Sequence, residues 1–566
     1  MLISDHERSR QLIKGSASID VRALISGLHT LSGSEILERI LECDNPRKTV
    51  RDMSSEDFHW LVKKIGEDDC LPLLKLASVD QWQYLLDLEI WSKDRLNETS
   101  ISLWLKRFFQ ADFKRLVRWL FADGQSLAYY YFFRSIEVAI NSEDDFYDLP
   151  EEFFSLDGIF HIRVIDPEYG QSIQNMIRQM AAEDFDRYQA LILGLAGVLP
   201  AEMEEEMYRL RNVRLAEHGF MPLEEALSVY APLGPETLRM GQQPDLPDIL
   251  DERRAIAPVF PLHYAGAGNM LTLTISGITD PLFLDRIRLE FAGLCNQILS
   301  ADGLPGHELD ILTNTCQKAA RYLNLAMERR CGKDVSSAEQ LLRYNSLVSV
   351  FRVGFGLAQR LKWEAEQWIG KSWFHGQGLD TGFWAERWGR ALAGLLKRRP
   401  RFYVGLQEAE EYRDFEWLSD LGESLKILRR LMVLDSLLER MDTLHPVDQG
   451  LIQSGELTFH TLLFDFWARH LLNLEPGFSG ISLAEAKDFF RLLRAGKNEP
   501  PHHMAGFEMT FVRDFMAYIS NSDPEATSIL EEALALVWQE FQEEHKRISL
   551  KDLDGRFTKF VSILPA

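Results

Sequence analysis

Residues 71–91 read LPLLKLASVDQWQYLLDLEIW, and this stretch decides the fold. Ser78-Val-Asp-Gln81 has the spacing of a capping box, in which the two polar side chains satisfy exposed backbone N–H groups at a helix start. Beyond it, Trp82, Tyr84, Leu85, Leu86, Leu88, Ile90 and Trp91 cover nearly every direction around a helix axis. A helix that is apolar on all sides must be covered on several of them, as in stacked helical layers. Upstream, Ser32-Gly-Ser-Glu35 repeats the capping-box spacing. Downstream, Leu105, Phe109, Phe113, Leu116 and Leu120 fall at helical spacing. From about residue 30 to 125, short helices therefore follow one another through brief turns.

A short phrase runs through the rest of the chain: Asp-Phe, two variable residues, then Leu or Tyr. It occurs at Asp57, Asp112, Asp145, Asp184, Asp414, Asp488 and Asp514. Asp accepts free N–H groups at a helix start, and Phe with an apolar residue three positions on marks one face. The expectation is buried Phe residues and Asp residues near helix N-termini. The separations (55, 33, 39, 230, 74 and 26 residues) are unequal, which argues against a fixed-period repeat.

The fold class expected is mainly α: stacked helices in several subdomains, an irregular superhelix or bundle, with one small β-hairpin insertion. The hairpin is read from alternation at Ile136, Val138 and Ile140 and at Phe160, Ile162 and Val164, joined by an acidic loop at 143–152. Six segments follow: stacked short helices over 1–130, the hairpin insertion over 131–170 and a helical continuation over 171–231. A Pro/Gly-rich connector spans 232–268, a long-helix domain 269–400 and a C-terminal helical domain 401–566. Ile427, Leu431, Leu434, Leu438 and Met441 form one of the later stripes.

At 566 residues, 46% apolar and 26% charged, with 34 Phe, 15 Tyr and 13 Trp, the chain can build more than one core. Its net charge of −24 opposes nucleic acid and anionic membrane surfaces. Five scattered cysteines with no Cys-x-x-Cys pair argue against a disulfide framework or a cysteine-based metal site. The N-terminus lacks the apolar core of a secretory signal. The longest apolar run, Ala190 to Leu199, is half of what a membrane span requires. A cytoplasmic protein without membrane insertion is expected.

Chemistry is harder to find. Trp363, Trp368, Trp373, Trp384 and Trp388 surround a glycine-rich turn, making Trp373, His375, Asp380 and Trp384 the candidate ligand or partner loop. Packing aromatics between helices would give the same pattern. Gly370-Lys-Ser372 fails as a phosphate loop because Ala365 stands where Gly is needed. Tyr264-Ala-Gly-Ala-Gly-Asn269 lacks dinucleotide-binding spacing. The pair His502-His503, and His460 with His470, lack metal-site spacing. No catalytic, cofactor-binding or metal residue is assigned, and no cofactor is indicated.

The stretches LPLLKLASVDQWQYLLDLEIW (71–91), FDRYQALI (185–192) and GFMPLEEALSVYAPLG (219–234) resemble an uncharacterised bacterial family known as a domain of unknown function. The run of short helices over 30–125 is also similar in pattern to the cytosolic helical domain of MgtE-type magnesium channels. The first resemblance implies no activity; the second implies a cation-responsive acidic module. Three functions stay open at this point. One is a noncatalytic interaction or regulatory protein with a protein partner. Another is an enzyme or ligand-binding protein with its site near Trp373–Trp384. The last is the divalent-cation module.

Overall fold

The computed structural model describes residues 21–564, apart from 141–151, 167, 242–255, 305–307, 407–409, 454, 456, 495–499, 503, 520–522, 552 and 555–557. The chain is mainly helical and divides into two compact units. Unit 1 comprises residues 1–231, 236–323 and 330–352; unit 2 comprises 232–235, 324–329 and 353–566.

In unit 1 the capping boxes form as expected. Ser32 and Ser78 open the helices Gly33–Leu41 and Val79–Glu89, with Glu35 and Gln81 completing the reciprocal bonds. The second helix buries Gln81, Trp82, Tyr84, Leu85, Leu86, Asp87 and Leu88, so nearly its whole circumference is covered. Its polar members bond inward: Gln81 donates to the carbonyls of Val50 and Met53, and the Trp82 indole to that of Leu74. Trp82 stacks on Phe108 at 4.3 Å between ring centres.

The hairpin forms with Ile136 opposite Val164 and Ile140 opposite Phe160, and a third strand, Phe154–Ser155, pairs with its second strand. Two further two-stranded ladders, Trp91–Ser92 with Arg95–Leu96 and Phe402–Tyr403 with Tyr412–Arg413, extend the single β element expected. They are two residues long and carry no alternation that a sequence pattern could register. Most of the acidic 143–152 loop lies outside the described residues.

Unit 2 is organised by rings. Trp467 on the helix Phe459–Leu471 meets Phe489, Phe511 and Trp538 edge-on at 5.2–5.8 Å, while Phe464 stacks on Phe511 and Phe541. The helix Leu418–Leu444 buries Leu428, Leu431, Leu434, Leu437, Leu438 and Met441, close to the expected stripe.

The Asp-Phe phrase is less uniform than its wording. Phe58, Phe415, Phe489 and Phe515 are buried, but Phe113 and Phe185 are 36% and 44% exposed. Asp184 caps the helix Phe185–Gly194. Asp112 breaks the helix Glu98–Leu120 with non-helical φ/ψ and caps its second half through the Arg115 N–H. Phe113 follows that break directly and is left part-exposed, while Leu116 and Leu120 beyond it are buried as Leu105 is. Asp488 and Asp514 sit inside helices rather than at their starts. Asp145 and Phe146 lie outside the described residues.

Candidate functional site

Unit 1 encloses a pocket built from segments far apart in sequence. Glu56, His59, Trp60 and Lys63 recur at i, i+3, i+4 and i+7 on the helix Ser55–Ile65, so they share one face. That face is turned inward. Tyr84, Leu88 and Glu89 come from the helix Val79–Glu89. The pocket wall comprises Glu56, His59, Trp60, Tyr84 and Leu88 with Phe220, Pro261, Ala292, Cys295, Asn296, Leu299, Leu312 and Cys316. Its free volume is about 20 Å³, the room of roughly one water molecule.

Two imidazole–carboxylate pairs flank the buried Tyr84 ring. His59 Nε2 lies 3.1 Å from Glu89 Oε1, with both side chains almost fully buried. His218 Nδ1 lies 2.7 Å from Glu56 Oε1, with the histidine 28% exposed on the outer side. The Tyr84 ring centre is 6.1 Å from that of His59 and 4.6 Å from that of His218. Behind His59 the charges continue. Lys63 Nζ bonds Glu89 at 2.7 Å and Glu67 at 2.5 Å, and Arg107 bonds Glu67 and Asp68 at 2.9 and 2.8 Å.

Burial pushes the Glu89 carboxyl upward, but the hydrogen bonds and charges of His59 and Lys63 outweigh it and hold it below its ordinary value. For His218, burial pulls downward while Glu56 wins and holds it above. Burial raises the Tyr84 phenol and the Cys295 thiol well above their ordinary values. The phenol and the thiol therefore keep their protons at neutral pH and offer donors rather than activated nucleophiles.

The far wall is delivered by two close approaches. Asn296 Nδ2 donates to the His218 carbonyl at 2.7 Å. Gly219, at φ +85°, lets its segment lie against Gly293; a Cβ there would stand 2.6 Å from the Gly293 Cα. Beside the pocket, buried Asp57 accepts the backbone N–H groups of Val259 and Phe260 at 2.8–2.9 Å, where the short helix Phe260–His263 begins. Burial drives its carboxyl up to about 7 despite these bonds.

The sequence-derived loop has a different setting. Trp373 and Trp384 are buried in an aromatic cluster of unit 2 with Phe374 and Phe383, whereas His375 and Asp380 are exposed. The structure thus separates the two rings from the two polar groups. Trp373 Nε1 donates to Asp442 at 2.9 Å, and the Trp373 and Phe374 N–H groups donate to buried Asp435. Asp380 caps its own turn through the Gly382 N–H. Unit 2 also has a cleft of about 310 Å³ lined by His445, Phe466, His470, Asn473, Leu474, Pro476 and Tyr518. His460 Nε2 lies 3.1 Å from the Glu540 carboxylate, and burial holds the imidazole below its ordinary value despite that partner. Among the described residues no group of three or more His, Cys, Asp or Glu side chains could hold a metal ion, and no helix is long and apolar enough to cross a membrane.

Glu56, His59 and His218 escaped the sequence reading. The usable signal was polar residues at helical spacing on the same face as Trp60, a pattern that marks a buried polar stripe.

The fold and pocket define a mainly helical chain with a titratable pocket in unit 1 assembled from distant segments. A family model described as a family of unknown function (DUF6178) matches residues 15–563, and the chain belongs to that family. No curated protein and no solved structure matches it. The similarity of residues 30–125 to MgtE-type channels is therefore not carried by any match.

Proposed function

We propose that the chain is a noncatalytic regulatory protein whose unit 1 takes up a small polar molecule between His59, Tyr84 and His218. One observation carries this reading: polar groups from four separate stretches of chain, at Glu56 and His59, at Tyr84, at Cys295 and Asn296 and at Cys316, line one pocket of unit 1. Burying polar groups costs free energy even when they are paired, so gathering them around a pocket rather than in a packed apolar core favours a ligand-facing role. Binding rather than catalysis follows from the protonated phenol and thiol and from imidazoles already engaged by carboxylates. The partly exposed Glu56–His218 pair stands at the outer side, where parting it would admit a ligand.

Thermal melting against a panel of amino acids, small carboxylates, amines and nucleosides tests this. At least one compound should raise the melting temperature by several degrees and be recovered chemically unchanged. The shift should vanish in Tyr84→Phe and His59→Gln chains that still melt cooperatively. A panel without a shift, or a shift those variants retain, would count against the pocket as a ligand site.

A further inference from the structure

We infer that Cys295 and Cys316 form a reversible dithiol–disulfide couple in the wall of the unit 1 pocket, oxidised by small hydroperoxides. Both are free thiols and both are buried. Cys295 stands seven residues before the end of the helix Pro281–Asp302, and Cys316 seven residues after the start of the helix Leu309–Cys331. Each therefore lies about 10 Å along its helix from the connection between them. This equal depth sets the two residues level on consecutive helices, and after burial itself it is the neighbouring Cys316 thiol that raises the Cys295 thiol above its ordinary value.

The other three cysteines are placed differently. Cys43 and Cys70 donate to the carbonyls of Arg39 and Glu67, each within its own local turn of chain. Cys331 is fifteen residues further along the helix from Cys316, roughly 22 Å away. A second observation makes the pair more than a packing contact, because both cysteines line the unit 1 pocket with His59 and Tyr84. The free space beside them has the room of about one water molecule, so hydrogen peroxide, the smallest of that class, is the oxidant of closest size.

The chemistry balances without a further reactant. The minor fraction of Cys295 that has lost its proton attacks the peroxide oxygen, the O–O bond breaks, and Cys295 becomes a sulfenic acid while the leaving oxygen takes up that proton and departs as an alcohol, or as water from hydrogen peroxide. Cys316 then attacks the sulfenic sulfur, forming the S–S bond and releasing water. Two thiols are oxidised by one hydroperoxide. Because burial keeps the Cys295 proton in place, the reaction is slow at neutral pH and faster in alkali. Closure would tie two pocket-forming helices together.

The inference does not rest on the ligand reading, since the thiols meet whether or not the pocket is filled. The test uses the full reduced chain treated with hydrogen peroxide at about pH 7 and about pH 9, then denatured, alkylated and digested. Two of the five thiols should resist alkylation, with a mass loss of two hydrogens and one peptide pair linking Cys295 to Cys316. The link should form faster at the higher pH, reopen with dithiothreitol, and form equally in a Tyr84→Phe chain. In Cys316→Ser, the sulfenic acid of Cys295 should accumulate and be trapped by dimedone. Complete alkylation of all five thiols, a link through another cysteine, or Cys295 reaching the sulfinic acid beside a free Cys316 would each overturn the proposal.

Discussion

Units 1 and 2 share one device and surround it differently. In unit 1, Asp57 reaches from one helix to accept the first N–H groups of another, Phe260–His263. In unit 2, Asp435 does the same for Trp373 and Phe374 at the start of Trp373–Gly376. Asp57 shares its helix with Glu56, His59 and Lys63, the last two paired with Glu89, whereas Asp435 faces Trp368, Trp373 and Phe374. The same in-trans cap therefore sits beside a charge chain in one unit and beside packed rings in the other. Both units bury titratable side chains, but the unit 1 pocket gathers them around a free space, whereas the Trp467 cluster of unit 2 is built of rings.

Substitutions can break that contrast, and the largest effect belongs to unit 2. Trp467→Ala removes a ring held among Phe489, Phe511 and Trp538 and should cost about 4 kcal/mol, read from denaturant unfolding. A cost under roughly 1 kcal/mol would mean the ring cluster is not the core of its unit. Glu89→Gln keeps volume but removes the carboxylate facing both His59 and Lys63. It should cost about 3 kcal/mol, since buried Lys63 is left with Glu67 alone and buried His59 loses its carboxylate. If this nearly isosteric change is silent, unit 1 depends on packing as unit 2 does.

A third experiment sharpens the comparison through pH. Asp57 holds its proton up to about 7 when folded, while an unfolded Asp releases it near 4. Between these values the folded chain binds more protons, so this group's contribution to stability declines as pH rises, with no cost below about 4 and the full cost above about 7. Asn cannot titrate. The stability of wild type relative to Asp57→Asn should therefore fall by about 2 kcal/mol from about pH 5.5 to about pH 7. A gap that stays constant in urea melts at the two values would show that the N–H bonds, not burial, govern the carboxyl. The smallest effect is local: Ser78→Ala should cost about 1 kcal/mol by uncapping Val79–Glu89.

The helices were largely legible because their signals are local. Ser32–Glu35 and Ser78–Gln81 carry capping geometry within four residues, and Trp82 to Leu88 announce all-round burial by composition. The pocket was not legible, since Glu56 and His218 are 162 positions apart and meet only through tertiary packing. Phe113 shows a local rule failing to a local competitor: Asp112 could continue the helix or restart it, and it restarts it. The Trp-rich loop drew attention by composition, which registers large rings without registering whether they face a ligand or one another.

The meeting of Gly219 with Gly293 has a consequence for what the gene can vary. The contact is lopsided: a side chain at 219 would run into backbone atoms of 293, while a Cβ built on 293 meets nothing within 4 Å. Position 219 also holds φ at +85°, which penalises every residue with a Cβ. Of two glycines that touch, one is confined to a single letter of the amino-acid alphabet and the other is free to drift to alanine. The His218 side of the pocket is thus tethered by a constraint that a contact map draws as mutual and inheritance would record on one side alone.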